Sequence, residues 1–170
     1  MLKSTIKTPN YHSISKFIQM TLKDFFRIYP PKRIISKFFL SLTCLPMLPQ
    51  TRAKILKLVG VKIKGRVLIY GVRIDTVAPE RIHIGNNTAI AAGTIILTHY
   101  LDPNQSGRHF RIGDVYIGDN VFVGVNVVIC NSVTIGDGAI IGAGSVVTKD
   151  IPPYQCWAGN PAHYIKDRVK

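Results

Sequence analysis

A period of six residues runs without interruption through the C-terminal part of the sequence. Residues 117–152 form six consecutive hexapeptides, each of which begins with Ile or Val, and most of which have Gly at the second position. An amphipathic helix repeats its apolar face every 3.6 residues, so a period of six excludes a helix here. The pattern predicts short strands separated by bends, with inward-pointing aliphatic side chains and with Gly or Asn at bends of positive φ.

A single hexapeptide cannot bury its own apolar side, so several must stack on one another as successive coils. A shorter copy of the pattern begins at Ile84 and Ile90 and extends the stack towards the N terminus. A β-sandwich is the alternative, but its turns come every 8–12 residues and do not keep a phase of six. We therefore predict an all-β solenoid over residues 61–170.

The string IGDGAIIGAGSVVTKDIPPYQCWAGNPAHYIKDR, at residues 135–168, closely resembles the C-terminal signature of the hexapeptide-repeat acyltransferases. Within that family the sequence resembles the sugar O-acetyltransferases, such as the galactoside and capsular-polysaccharide enzymes, over roughly residues 61–168. The resemblance implies a left-handed parallel β-helix with three strands per coil, and a homotrimer with active sites between subunits. It also implies acetyl-CoA as co-substrate and a saccharide acceptor, such as a capsular or other surface polysaccharide precursor.

A break in the hexapeptide phase marks the candidate catalytic residue. Ile96 and Ile117 are 21 residues apart, which is not a multiple of six, so we expect a loop excursion at residues 98–114. His99 lies where the excursion begins, and an imidazole is suited to take the proton of an attacking alcohol. Position alone favours a surface histidine that caps a turn. The resemblance, which has the catalytic histidine at this point, implies that His99 is the general base, with His109 as a weaker candidate.

The resemblance also implies where acetyl-CoA binds. It carries the contacts over to positions in the last coil and near the C terminus, namely Ala143, Thr148, Lys149, His163 and Lys166. Lys149 offers a positive charge for a phosphate group, although the sequence alone allows a solvated lysine beside Asp150. His163 is a weaker cation than the arginine that relatives use, so this contact is the least secure of the five.

Two further site residues are Val125 and Asp75. The resemblance puts the tetrahedral oxyanion near Val125, where relatives often have Ser; a valine side chain donates no hydrogen bond, so a backbone N–H or a water must serve. Asp75 lies in a second irregularity, before Ile84, and is a candidate substrate contact. It suits a hydrogen bond to a sugar hydroxyl, the orientation of His99, or a cap on the turn before Pro79, and the sequence does not decide among these roles.

Basic residues are concentrated in the N-terminal third of the sequence. Residues 1–60 carry 11 of the 22 Lys and Arg but only one of the nine acidic residues. Three apolar and basic segments in this region predict an amphipathic α-helical N-terminal extension over residues 1–60. Such helices suit an anionic membrane surface, which makes residues 1–48 a candidate for membrane contact, although helices that cap a solenoid are common. Packing on the first coil or on a neighbouring subunit is the alternative.

The opposite end of the chain is expected to close the solenoid. Residues 152–170 follow the last regular hexapeptide and predict a C-terminal cap, in which Trp157 covers the end of the core. Residues 164–170 are expected to form a short helix.

Charge and cysteine content exclude several classes of protein. The uneven charge does not fit a uniformly basic nucleic-acid-binding domain, so no nucleic-acid partner is expected. Three widely spaced cysteines fit neither a disulfide scaffold nor a metal site. The first twenty residues lack a secretory signal, and the apolar stretch at residues 38–49 is too short to span a membrane. A cytoplasmic protein is expected, with a possible peripheral place at the inner membrane face.

Rival functions share the same fold. An N-acetyltransferase would act on an amino sugar or a small amine and would depend less on a general base. A non-catalytic β-helix scaffold would need no base at all. A metal-binding relative of the carbonic anhydrase type would need several histidines, whereas residues 84–147 contain only His99 and His109.

Overall fold

The computed structural model describes residues 4–7, 31–42 and 48–169, and strands far outnumber helices in these ranges. The elements in chain order are β1 (Ser4–Lys7), α1 (Pro31–Leu42), α2 (Pro49–Leu58), β2 (Lys62–Ile63), β3 (Val67–Ile69), β4 (Arg73–Ile74), a 3-10 turn (Pro79–Arg81), β5 (Ile82–Ile84), β6 (Thr88–Ile90), β7 (Ile95–Ile96), β8 (His99–Leu101), β9 (His109–Ile112), β10 (Val115–Ile117), β11 (Phe122–Val123), β12 (Val128–Ile129), β13 (Thr134–Ile135), β14 (Ile140–Ile141), β15 (Val146–Val147), β16 (Gln155–Ala158) and β17 (His163–Asp167).

The short strands assemble into three parallel sheets within the described part of the chain. The first sheet has the order β13-β10-β5-β2, the second contains β14-β11-β6-β3, and the third has the order β15-β12-β7-β4. The chain visits the three sheets in turn, so each set of three consecutive strands forms one coil, and each strand pairs with its equivalent in the next coil. This arrangement confirms the stacked coils predicted from the period of six and the parallel strands that the resemblance implies.

The aliphatic position of each hexapeptide points into the core. Every Ile or Val at this position is at most 3% exposed, from Ile84 through Ile117 to Val147. Asn120 and Asn126 lie at bends with φ of 58° and 55°, in the left-handed region that asparagine tolerates better than most residues. The inward ladders and the positive φ at bends are therefore as predicted.

Helix α2 packs against the first coil. Pro49 begins the helix, where a missing N–H leaves no hydrogen bond unmade, and Gly60, with φ of 108°, follows its end. Leu56 is fully buried against the coil, and the buried Arg52 donates a hydrogen bond from Nη1 to the carbonyl of Ile69 at 2.9 Å. Residues 4–7, near the start of the predicted helical extension, form strand β1 instead and pair antiparallel with β9. The predicted helical segment before Pro30 lies outside the described residues.

The C-terminal segment differs from its prediction. Residues 163–167 form strand β17 rather than a helix, so the predicted helix over residues 164–170 is wrong. Strand β16 continues the second sheet beside β14 and leaves one edge open, and β17 folds back to pair antiparallel with that edge. Satisfying these backbone groups outweighs any local helical preference. Trp157, in β16, lies at the end of the core and is 9% exposed.

Candidate active site

His99 stands at a corner where the chain leaves the stack of coils. Strand β7 in the third sheet ends at Ile96, and His99 is the first residue of β8, which pairs antiparallel with β9. A hydrogen bond of 2.8 Å from the Gly113 N–H to the Thr98 carbonyl closes the base of this hairpin. The rigid third sheet thus fixes the backbone on which the imidazole is carried.

Asp75 holds the imidazole of His99 by one ring nitrogen. Strand β4 pairs with β7, which puts Asp75, just after β4, beside the residues that follow β7. The distance from Asp75 Oδ2 to His99 Nδ1 is 2.6 Å, and the Asp75 side chain is only 2% exposed. The His99 side chain is 32% exposed, which leaves its Nε2 edge as the part able to meet a substrate.

The carboxylate of Asp75 is held by backbone and side-chain donors. Oδ2 accepts hydrogen bonds from the Thr98 N–H at 2.8 Å and from the Thr98 hydroxyl at 2.7 Å, and Oδ1 accepts one from the Val77 N–H at 2.9 Å. Burial alone would raise the pKa of Asp75, but the hydrogen bonds from Thr98, Val77 and His99 together lower it below its ordinary value. Asp75 is therefore an anion at neutral pH and contacts both the turn and His99.

The lowered pKa of Asp75 predicts a dependence of stability on pH. Its ionised form stabilises the fold above the unfolded-state value of 3.8, and this contribution is lost as the pH falls through the lower folded-state pKa. We expect Asp75→Asn to reduce the free energy of unfolding at pH 7 by about 1–3 kcal/mol, because buried donors lose their anionic acceptor. Urea unfolding at pH 7 and pH 3 should then show a smaller loss on acidification for the variant than for wild type. Equal losses in the two proteins would contradict this role.

The rest of the excursion forms a small antiparallel sheet. Strand β9 lies between β8 and β1, with His99 opposite Ile112 and Ile112 opposite Ser4. At the tip, the buried carboxylate of Asp102 accepts a hydrogen bond from Arg111 Nε at 2.8 Å. This contact and the hydrogen bonds from residues 104 and 105 lower the pKa of Asp102, against an opposing effect of burial. The hairpin is thus a built structure rather than a featureless loop.

The residues assigned to acetyl-CoA lie at two different corners. Val125 and Ala143 are exposed where the second sheet turns into the third, in successive coils, and the Gly144 N–H bonds to the Val125 carbonyl. Thr148 and Lys149 follow the C-terminal end of β15, whereas Val125 and Ala143 precede the third-sheet strands. Thr148 and Lys149 therefore lie at the same corner as His99, two coils further along the stack. About six residues of extended chain separate the corner of Val125 and Ala143 from the corner of His99, which corresponds to about 15–20 Å. One chain therefore does not bring Val125 and Ala143 to His99.

The remaining assigned cations lie near the C-terminal end. Lys149 Nζ is 5.3 Å from the centre of the Trp157 ring, a cation–π contact that directs this lysine over the last coil. His163 and Lys166 are both exposed on β17. Trp157 thus contacts Lys149, one of the residues assigned to acetyl-CoA, in addition to covering the core.

Three contributors to the site escaped the sequence analysis. Thr98 is fully buried and bonds to Asp75, and its position beside His99 was the only available signal. Phe110 has its ring centre 5.7 Å from that of His99, on the neighbouring strand of the hairpin. The ion pair between Asp102 and Arg111 is the third, since nothing in the sequence fixes the hairpin register.

The described residues contain neither a metal-binding cluster nor a membrane-spanning helix. No three or more His, Cys, Asp or Glu side chains in these ranges come together as a group that could hold a metal ion. No helix in the same ranges is both long enough and apolar enough to cross a membrane.

The sequence and structure were compared with known proteins. Residues 114–149 match the family model described as bacterial transferase hexapeptide (six repeats). No curated protein matches the sequence significantly. A maltose O-acetyltransferase from Clostridium difficile 630 is 30% identical, with a TM-score of 0.65 and coverage of 82% of this chain and 87% of the other.

Two more solved structures show the same fold. The polySia-specific acetyltransferase NeuO is 34% identical, with a TM-score of 0.56, and the match covers 64% of this chain and 52% of NeuO. A galactoside acetyltransferase in complex with coenzyme A is 24% identical, with a TM-score of 0.61 and coverage of 89% and 92%. The last likeness is one of fold alone.

Proposed function

Since the chain belongs to the bacterial hexapeptide-repeat transferases, in the branch of the sugar O-acetyltransferases, we propose that it transfers an acetyl group from acetyl-CoA to a hydroxyl group of a saccharide. The observation that carries the proposal is the pairing of His99 with a buried carboxylate at the edge of the coils. Acyl transfer to an alcohol needs a base of this kind, because an alcohol is barely ionised at neutral pH.

In this mechanism His99 moves one proton twice. The acceptor oxygen attacks the thioester carbonyl carbon while His99 Nε2 takes the hydroxyl proton. The tetrahedral intermediate then collapses, the C–S bond breaks, and the imidazolium returns the proton to the departing thiolate of coenzyme A. Asp75 accepts the Nδ1–H, keeps Nε2 free to act as the base, and stabilises the imidazolium between the two steps. Asp75 is thus a positioning residue rather than a direct substrate contact.

The oxyanion needs a hydrogen-bond donor, and the backbone of Val125 supplies a candidate. The Val125 side chain is exposed and cannot donate. Among the described residues, the Val125 N–H has no backbone acceptor, while the N–H groups of Gly124 and Asn126 on either side bond to carbonyls of adjacent coils. An N–H fixed in a rigid corner suits the stabilisation of charge that develops in the transition state.

A site that uses both corners requires two chains, which supports a homotrimer. In such a trimer, His99 of one subunit would face Val125 and Ala143 of its neighbour, with acetyl-CoA between them and Lys149, His163 and Lys166 near its phosphates. The coils would wind as a left-handed parallel β-helix, as the family membership implies. Analytical ultracentrifugation tests the assembly, and a fully active enzyme with the mass of one chain would exclude it.

A thiol-release assay tests the activity itself. The full chain is mixed with acetyl-CoA and a panel of neutral, acidic and amino sugars, and free coenzyme A is measured as its thiol forms. We expect release that depends on the acceptor, and a product that mild base deacetylates, as it does an O-ester. A base-stable amide product would instead indicate N-acetylation. No release with any acceptor in the panel, and none from acetyl-CoA alone, would contradict an acetyltransferase.

Helix α1 supports a further proposal, attachment to an anionic membrane at the cytoplasmic face. Leu40 is buried and Phe39 packs against the core, whereas Ile35 and Phe38 are 55% and 62% exposed. An apolar surface of this kind, in a region with a net charge of +10, suits anionic lipid. Saccharide precursors that are lipid-linked would then lie within reach of the enzyme.

Flotation with lipid vesicles tests this attachment. The full chain should float with vesicles containing phosphatidylserine and remain unbound with neutral phosphatidylcholine vesicles. The double variant Ile35→Ser, Phe38→Ser should lose most of the binding, because it removes the exposed apolar contact and leaves the charge unchanged. Leu58→Ser, an exposed leucine at the end of α2, provides a matched control. Equal flotation of the double variant and the wild type would reject the proposal.

A further inference from the structure

We propose that Phe110 is the acceptor platform of the active site: its ring stacks against the apolar C–H face of the sugar whose hydroxyl is acetylated. The inference rests on the proposed O-acetyltransferase function and identifies a specificity-determining residue for it. It depends on the two faces of the hairpin formed by β8 and β9, which differ in chemistry.

One face of the hairpin carries His99 together with apolar side chains. In an antiparallel pair, residues directly opposite one another lie on the same face. His99 is opposite Ile112, and Leu101 is opposite Phe110, so these four side chains share one face. The rings of His99 and Phe110 are 5.7 Å apart and tilted by 60°. The general base therefore lies beside an aromatic ring on a common surface.

The other face is already occupied by polar contacts within the hairpin. Tyr100 and Arg111 are opposite one another, and the guanidinium of Arg111 is held by Asp102 at 2.8 Å and interacts with the Tyr100 side chain. These groups are used in holding the hairpin together. On the His99 face, by contrast, Leu101 is 52% exposed and Phe110 is partly exposed, which leaves an apolar surface open to a ligand.

A pyranose ring has the shape and chemistry for this surface. It presents polarised C–H bonds on its faces and hydroxyl groups around its edge. The face of an aromatic ring is electron-rich and attracts such C–H groups, and the contact also removes apolar area from water. A sugar stacked on Phe110 would direct an edge hydroxyl towards His99 Nε2. The stacking contact would thereby orient the reacting hydroxyl for attack.

The contact is not needed to orient the imidazole itself. Asp75 fixes His99 through Nδ1 at 2.6 Å, and the hydrogen bonds of Thr98 fix Asp75. If Phe110 served only as packing, any apolar side chain of similar volume would suffice. A stacking role requires an aromatic face, so the two roles predict different responses to Phe110→Leu.

Steady-state kinetics with a saccharide acceptor separate these roles. We expect Phe110→Ala and Phe110→Leu each to raise the KM for the acceptor by about tenfold, as the loss of one aromatic stacking contact predicts. Phe110→Trp should keep the KM within about threefold of the wild type. The KM for acetyl-CoA and the slow hydrolysis of acetyl-CoA without acceptor should not change. Tyr100→Phe, on the opposite face, serves as the control and should leave the acceptor KM unchanged.

The outcomes distinguish failure of this inference from failure of the function. If Phe110→Leu has the same acceptor KM as the wild type, Phe110 serves only as packing and the proposed stacking role is refuted. The same conclusion follows if the rates of transfer and hydrolysis fall equally in all three Phe110 variants. If Phe110→Ala does not fold, Phe110→Leu and Phe110→Trp still decide the question. Wild-type enzyme that releases no thiol with any acceptor would instead remove the proposed function.

Discussion

Replacement of His99 by alanine is expected to lower kcat for acetyl transfer by about 10²- to 10⁴-fold, the usual contribution of a general base. The imidazole combines partial exposure to solvent with a hydrogen bond to the buried carboxylate of Asp75. The KM for acetyl-CoA should change little, because His99 moves a proton in the chemical step and is not assigned any contact that binds acetyl-CoA in the ground state. Kinetics at saturating acetyl-CoA, with circular dichroism to verify folding, provide the measurement.

His109→Ala is the matched control for this experiment. His109 lies in the same hairpin, but its position in β9 puts it on the face of Arg111, opposite to the face that carries His99. We expect this variant to retain kcat within about threefold of the wild type. A large loss in His109→Ala together with near-normal turnover in His99→Ala would reverse the assignment of the base. Similar small losses in both would remove general base catalysis from the mechanism.

Replacement of Ile135 by alanine is expected to destabilise the fold by about 2–5 kcal/mol, the range for deletion of a large aliphatic side chain from a core. Ile135 is fully buried in the first sheet, between Ile117 of the preceding coil and Ile151 of the last hexapeptide. The cavity would interrupt a ladder of stacked side chains that rigid coils on both sides prevent from closing. Chemical denaturation followed by circular dichroism gives the free energy of unfolding.

Thr134→Ala supplies the control on the same strand. Thr134 is the preceding residue of β13, and its side chain is exposed on the outer side of the sheet. Its substitution should change the free energy of unfolding by less than about 0.5–1 kcal/mol. A comparable loss in both variants would mean that the inner and outer positions of the hexapeptide do not differ as the structure has them.

The regular part of the structure could be predicted from sequence because it depends on local periodicity. The Ile or Val that begins each hexapeptide predicts a buried position, and an Asn or Gly at a bend predicts a backbone with positive φ. The family is confirmed on the same residues. The helix predicted for the tail after Trp157 was wrong, because the conformation of the tail depends on the open edge of strand β16. No local sequence pattern reveals that edge.

For the irregular part of the site, the sequence predicted which residues belong to it but not which of them contact one another. Asp75 and His99 are 24 residues apart, and only the pairing of β4 with β7 shows that they meet. Once that register is known, Asp75 must lie beside the residues after Ile96. The face on which Phe110 lies depends likewise on the register of the hairpin, because residues 102–108 form a longer loop than the two-residue turns whose sequence fixes a register.

The stack of coils is terminated differently at its two ends, and this limits how copies of the chain can associate. Helix α2 lies across the strand edge of β3, and the returning strand β17 occupies the edge of β16. Both ends of the second sheet are therefore covered, which opposes end-to-end addition of strands on this sheet. The flanks of the stack, where the corners that carry His99 and Val125 are located, have no such covering among the described residues and would be the surfaces through which copies join in the proposed trimer.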